Sequence, residues 1–166
     1  MGSDSKISMI VMDVDGTLTD GKIYMGDNGE IFKSFDIRDG YGIKYAQKYC
    51  GVTFAIITGR KSKIVENRCK ELEIGEIHQG VENKLSTLRE IARKYFKNSD
   101  EIAYIGDDLI DLECMRNVGM AMAPNNAVEE VKNAATYISS KNGGDGAVRD
   151  CIDYLLRNNM FRAARI

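Results

Sequence analysis

The 166-residue chain has no long block of one charge: 23 Lys and Arg stand against 25 Asp and Glu, for a net charge of −2. Such a balance offers little to a nucleic acid or to an anionic membrane surface. No apolar run approaches the length of a membrane span or a signal peptide core. Cys50, Cys69, Cys114 and Cys151 are scattered without a C-x-x-C pair, and His78 is the only histidine. That argues against a zinc site and a disulfide framework, and four reduced thiols point to the cytoplasm. What remains is ordinary for a globular chain, 43% apolar and 29% charged. The length suits a single domain over residues 1–166 with a sizeable core. Residues 1–5 read as a flexible leader.

The chain is organised around Met9-Ile10-Val11-Met12, a continuous apolar run that reads as a strand buried on both faces. Asp13 and Asp15 follow where the strand should end, and on an extended chain their side chains would point the same way. Gly16 then permits a tight turn. Two carboxylates this close resist burial unless a cation or phosphate chemistry uses them. A solvated Asp-x-Asp-Gly turn is the other reading of this stretch taken alone.

Lys22–Met25 and Glu30–Ile37 flank a Gly26-Asp27-Asn28-Gly29 turn and read as a hairpin inserted before the first helix. An isolated hairpin is marginal in water, so Ile23, Met25, Ile31, Phe32 and Phe35 need cover from the body or another subunit. Beyond it, helices are expected over about 42–49, 62–73, 84–95, 109–116, 127–134 and 147–157. Strands are expected over 52–57, 76–79, 101–105, 119–123 and 136–138. This alternation predicts a doubly wound, mostly parallel α/β sheet of Rossmann type.

In such a sheet ligands bind outside the carboxyl ends of the strands. Three strand ends are polar here: Asp13-Val14-Asp15, Thr58-Gly59-Arg60 and Gly106-Asp107-Asp108, and Lys84, opening a helix, can join them. Three converging carboxylates repel one another without a cation. An all-oxygen donor set calls for a hard ion, with magnesium the default.

That order resembles the haloacid dehalogenase-like phosphohydrolases over essentially the whole chain, through Asp13/Asp15, Thr58, Lys84 and Asp107/Asp108. The runs Asp13–Gly21, Arg38–Ile43, Thr58–Ser62, Arg68-Cys69, Gln79-Gly80, Gly106–Asp111 and Gly143–Arg149 are similar to the 3-deoxy-D-manno-octulosonate (KDO) 8-phosphate phosphatases. The resemblance implies a sheet without a cap domain, the hairpin at 22–37 being the only insert. It implies magnesium-dependent hydrolysis of a sugar-acid phosphate, a step of lipopolysaccharide biosynthesis. It also implies a homotetramer whose hairpins pool at the centre and whose subunits cover each other's sites. Within it, Asp13 would be the nucleophile and Asp15 the acid and base. Magnesium would lie on Asp13, the Asp15 carbonyl and Asp107, with Asp108 and Asp111 orienting ligands and waters. Thr58 and Lys84 would bind the phosphoryl oxygens, and Gly59, Arg60 and Arg68 are candidates for the substrate, the arginines for its carboxylate.

Thr17 stands where valine is expected in many members, a near-isosteric change of little consequence. Asp145 occupies the variable slot of the Gly143–Gly146 tail, which is expected to reach a neighbour's site. A receiver-type signalling domain shares an acidic pocket, a Thr and a Lys. There, however, a central strand ends in the phosphorylated aspartate, and here that strand ends in Thr58. A nonulosonate 9-phosphate phosphatase and a tetramerisation module partnering an acylneuraminate cytidylyltransferase remain as alternatives.

Overall fold

The structure, a computed structural model, describes residues 6–161; the expected leader at 1–5 lies outside the described residues. In chain order the elements are β1 (Met9–Met12), β2 (Tyr24–Gly26), β3 (Gly29–Phe32), α1 (Ile37–Cys50), β4 (Thr53–Ile57), α2 (Lys63–Glu71) and β5 (Glu76–His78). Then follow α3 (Lys84–Lys94), β6 (Ile102–Ile105), α4 (Leu112–Met115), β7 (Met120–Ala123), α5 (Glu129–Ala134), β8 (Tyr137–Ile138) and α6 (Ala147–Arg157).

Every residue of β1 is buried, as its unbroken apolar run requires. It lies inside a six-stranded sheet ordered β5-β4-β1-β6-β7-β8, and every pairing in that sheet is parallel. The chain leaves β1 for β4 and β5 on one side, then crosses back to β6, β7 and β8 on the other. The strand order therefore reverses beside β1, and a crevice opens at its carboxyl end. Alternation along β1 divides the core. Ile10 and Met12 pack with Ile43, Val65, Cys69 and Ile152 on one face, Met9 and Val11 with Leu88, Ile91, Cys114 and Val131 on the other.

Two elements depart from the periodicity. α1 starts at Ile37, five positions earlier than expected, because Asp36 caps it by accepting the Arg38 N–H. Its Gly40 and Gly42 look like breakers in sequence. Both lie inside the helix at close approaches: a Cβ at Gly40 would meet the Arg68 guanidinium at 2.6 Å and one at Gly42 the Arg149 side chain at 2.8 Å. The helix expected at 109–116 is instead a 3-10 turn, Leu109–Asp111, followed by the four-residue α4. Asp108 caps that turn, and Asp111 is drawn inward to the backbone N–H groups of Asp107 and Asp108.

The insert is a hairpin of β2 and β3 around Asp27-Asn28, forming its own two-stranded sheet. Ile23, Met25, Ile31 and Phe32 are exposed on it, while Phe35 is partly buried against the core. At the other end of the chain, Gly143 and Gly144 press on the chain's own Gly16–Asp20 turn. A Cβ on either residue would overlap that backbone, and the Gly144 N–H donates to the Thr17 carbonyl at 3.4 Å. Only glycine allows backbone to approach backbone so closely, and within this chain the tail packs on the turn after β1.

Candidate active site

Asp13 directly follows β1, and its N–H continues the ladder to the Ile105 carbonyl. The turn then closes at once, since the N–H groups of Thr17, Leu18 and Thr19 all donate to the Val14 carbonyl. Past Val14 the chain is no longer extended, and the two carboxylates take different partners. Asp13 is buried, with Oδ2 2.9 Å from Lys84 Nζ and Oδ1 accepting the Val14 N–H at 2.7 Å. Asp15 instead pairs with Lys33 of the hairpin, Oδ1 to Nζ 2.5 Å.

The carboxylates that converge are Asp13, Asp107 and Asp111, with one oxygen of each within 4.8 Å of the others. Asp111 is fully enclosed and fully used. Its Oδ1 accepts from Lys84 Nζ at 2.9 Å and the Tyr104 hydroxyl at 2.7 Å, its Oδ2 from the N–H groups of Asp107 at 3.0 Å and Asp108 at 3.3 Å. With both oxygens engaged, it holds its neighbours in place. Asp13 and Asp107 are the members with capacity to bind a cation. Asp108 turns its side chain to its own helical turn, accepting the Leu109 N–H.

Burial, followed by the charge of Asp111, pushes the Asp13 carboxyl up to about 6 against the pull of Lys84. Burial, then Asp13 and Asp111, pushes Asp107 up to about 7, although the Thr17 hydroxyl bonds its Oδ1 at 3.1 Å and opposes the shift. Burial would depress the Lys84 ammonium, but Asp13 and Asp111 outweigh it and hold it above its usual value. Two carboxyls driven toward neutrality by burial and by neighbouring acidic charge describe a site that a cation would relieve. The all-oxygen donor set fits a hard divalent ion.

Thr58 is buried one residue beyond β4, its N–H donating to the His78 carbonyl at 2.9 Å. Gly59 and Arg60 are exposed at the same strand end, and Arg60 Nη2 lies 3.5 Å from Glu30 Oε1 of the hairpin. A Cβ on Gly59 would meet nothing nearer than 3.8 Å, so space alone does not demand glycine there. Arg68 is engaged elsewhere. It bonds Glu71 at 2.8 Å, reaches the Asp36 carbonyl at 3.5 Å and lies over the Phe35 ring, with no hydrogen bond or ion pair to Asp13, Asp107 or Asp111.

Four residues of the site escaped sequence reasoning: Thr17, Tyr104, Glu30 and Lys33. Thr17 is not the inert replacement its shape suggested, since its hydroxyl bonds Asp107. Tyr104 did carry a signal, because a tyrosine in the middle of a buried strand must find a partner for its hydroxyl. Nothing in the sequence pointed to Glu30 or Lys33. The Arg38–Ile43 and Gly143–Arg149 runs also meet: Asp39 Oδ1 accepts the Arg149 N–H at 2.8 Å, capping α6 at its third residue where the N-cap Gly146 has no side chain to do so.

A parallel sheet with a buried aspartate after its first strand, a lysine on that aspartate and an acidic group beyond a later strand fits a class of phosphoryl-transfer hydrolases. The family described as haloacid dehalogenase-like hydrolase matches residues 74–151. Together with the relatives that follow, this shows that the chain belongs to that family, within the branch of the 3-deoxy-D-manno-octulosonate 8-phosphate phosphatases. The phosphatase of that name from Escherichia coli BL21-DE3 is 44% identical over 156 residues, covering 94% of this chain and 82% of the relative. The crystal structure of the Moraxella catarrhalis phosphatase in complex with magnesium, phosphate and KDO is 39% identical. It superposes with a TM-score of 0.89, covering 95% of this chain and 91% of that one. A cobalt-bound Haemophilus influenzae phosphatase is 36% identical, with a TM-score of 0.88 and coverage of 92% and 88%.

Proposed function

We propose that the protein is a magnesium-dependent phosphatase that hydrolyses 3-deoxy-D-manno-octulosonate 8-phosphate to KDO and phosphate. The observation that carries the reading is the buried Asp13 carboxylate, held by Lys84 and facing Asp107 at the carboxyl end of β1. The names and bound ligands of the relatives support the substrate and the ion.

Asp13 attacks phosphorus in line, forming an oxygen–phosphorus bond as the bond to the sugar oxygen breaks. Asp15 protonates that leaving oxygen, then takes a proton from the water that cleaves the aspartyl-phosphate. Asp13, the Asp15 carbonyl and Asp107 would hold magnesium, whose charge lets a carboxylate approach a phosphate dianion. Lys84 orients Asp13 and, with Thr58, receives the phosphoryl oxygens. Arg60 is the candidate for the substrate carboxylate, reachable on leaving Glu30, and Gly59 shares its strand end. Arg68, part-buried between Phe35 and Glu71, stands as a weaker candidate.

We further propose a homotetramer in the cytoplasm, acting as one domain. The exposed apolar face of the hairpin supports the assembly, and four free thiols support the compartment. No helix among the described residues is long and apolar enough to cross a membrane.

A phosphate-release screen of sugar phosphates with and without magnesium tests the reading. KDO 8-phosphate should lead a nonulosonate 9-phosphate by at least about tenfold in kcat/KM, which about 1.4 kcal/mol of differential transition-state binding supplies. Absence of release from any sugar phosphate would overturn it.

A further inference from the structure

The hairpin turns its apolar side chains outward and a charge inward. Among the described residues 22–35, the one that is buried is Lys33, whose side chain is 1% exposed. Withdrawing an ammonium from water costs several kcal/mol unless partners satisfy it. Lys33 has two, Asp15 Oδ1 at 2.5 Å and Glu30 Oε1 at 2.8 Å. Glu30 is itself held, accepting from Ser62 Oγ at 2.7 Å and lying 3.5 Å from Arg60 Nη2. The chain of contacts runs from the strand end after β4, through the hairpin, to Asp15. Among the described residues, Lys33 is the one polar side chain recorded on the Asp15 carboxylate. Fastening a hairpin needs no such contact, because Phe35 and the Thr19–Phe35 bridge already tie its base to the body.

We propose that Lys33 is a positioning residue for Asp15, resting on the phosphatase reading above: it grips Oδ1 so that Oδ2, which carries the proton to be given up, faces the leaving oxygen, and Glu30 keeps the lysine in place. The hairpin is then part of the proton-transfer apparatus as well as a surface for assembly.

The test compares two phosphomonoesters. KDO 8-phosphate releases an alkoxide that must be protonated, whereas p-nitrophenyl phosphate releases a stable phenolate that need not be. In single turnover, Lys33→Met should slow phosphoryl transfer from KDO 8-phosphate by about 10–100-fold, part of what a placed general acid contributes, with KM within about threefold. The first-turnover burst of p-nitrophenolate should stay within about threefold of wild type, because that step needs no proton. Lys33→Arg should recover most of the loss. Equal losses on both substrates, or none on KDO 8-phosphate, would overturn the proposal. Should Lys33→Met fail to fold, Glu30→Gln leaves the lysine in place with one carboxylate. It should show the same split at about 3–10-fold, and equal losses there overturn the proposal too. A wild type inactive on both esters would instead refute the phosphatase reading itself.

Discussion

Gly16 stands so close to Asp107 that a methyl group on its Cα would overlap the Asp107 carboxylate, and its φ is +88°. The first fact concerns the site and the second the backbone, and both bear on one substitution. Gly16→Ala should cost about 1–2 kcal/mol of stability from the left-handed backbone alone. It should also push Asp107 off its position opposite Asp13 and lower kcat by about 100-fold or more. Thermal melting and steady-state kinetics check the two effects separately. A variant of wild-type activity would show that Asp107 can move without consequence.

Asp13→Asn should abolish turnover, by about a thousandfold or more, while the fold stands. The exchange keeps the shape and removes one of three mutually repelling charges, and Asp111 still partners Lys84 at 2.9 Å. Stability should hold or rise. Circular dichroism, a melting curve and a phosphate-release assay on the same preparation decide it; substantial activity in the folded variant would sink the covalent mechanism.

The site also predicts how pH and metal interact. Asp13 and Asp107 titrate near 6 and 7 in the folded chain but at ordinary carboxyl values when unfolded. Between about pH 4 and pH 7 the native state therefore holds more protons than the unfolded one, and stability falls as pH rises through that window. With chelator present, the melting temperature should drop from pH 5 to pH 7. Magnesium should restore it more at pH 7, because binding displaces those protons. A melting temperature rising through this range without metal would contradict the assignment.

Exhaustive chelation should likewise abolish phosphate release, and calcium should inhibit, its looser and larger coordination disturbing in-line attack. Full activity after chelation would refute the metal requirement.

Assembly is best tested at Met25, 60% exposed on β2, rather than at Phe32, which stacks on Tyr24 with centroids 4.2 Å apart and so also holds the hairpin together. Met25→Asp should lower both oligomer mass and kcat/KM. A wild type that scatters light as a fully active monomer at micromolar concentration would end the tetramer proposal.

The strands, the helix periodicity and the three polar strand ends were legible in the sequence because burial imposes its period locally. β1 could be read from four consecutive apolar residues, and α6 runs over the span its spacing predicts. Asp13 and Asp107 could be placed at one edge because a parallel sheet gathers its strand ends whatever the helices do. Which groups touch was decided only in three dimensions. Asp15 finds its partner in Lys33 of the hairpin, and Asp111 takes the third place in the cluster because a short 3-10 turn folds it inward. Gly40 and Gly42, which look like breakers, lie inside α1, where Arg68 and Arg149 occupy the space a side chain would need. Sequence periodicity records which side of an element meets water; it carries no record of which charge from a distant segment will lie against it. Pairs such as Lys33 with Asp15 and Asp39 with the Arg149 N–H therefore exist only once the whole chain has folded.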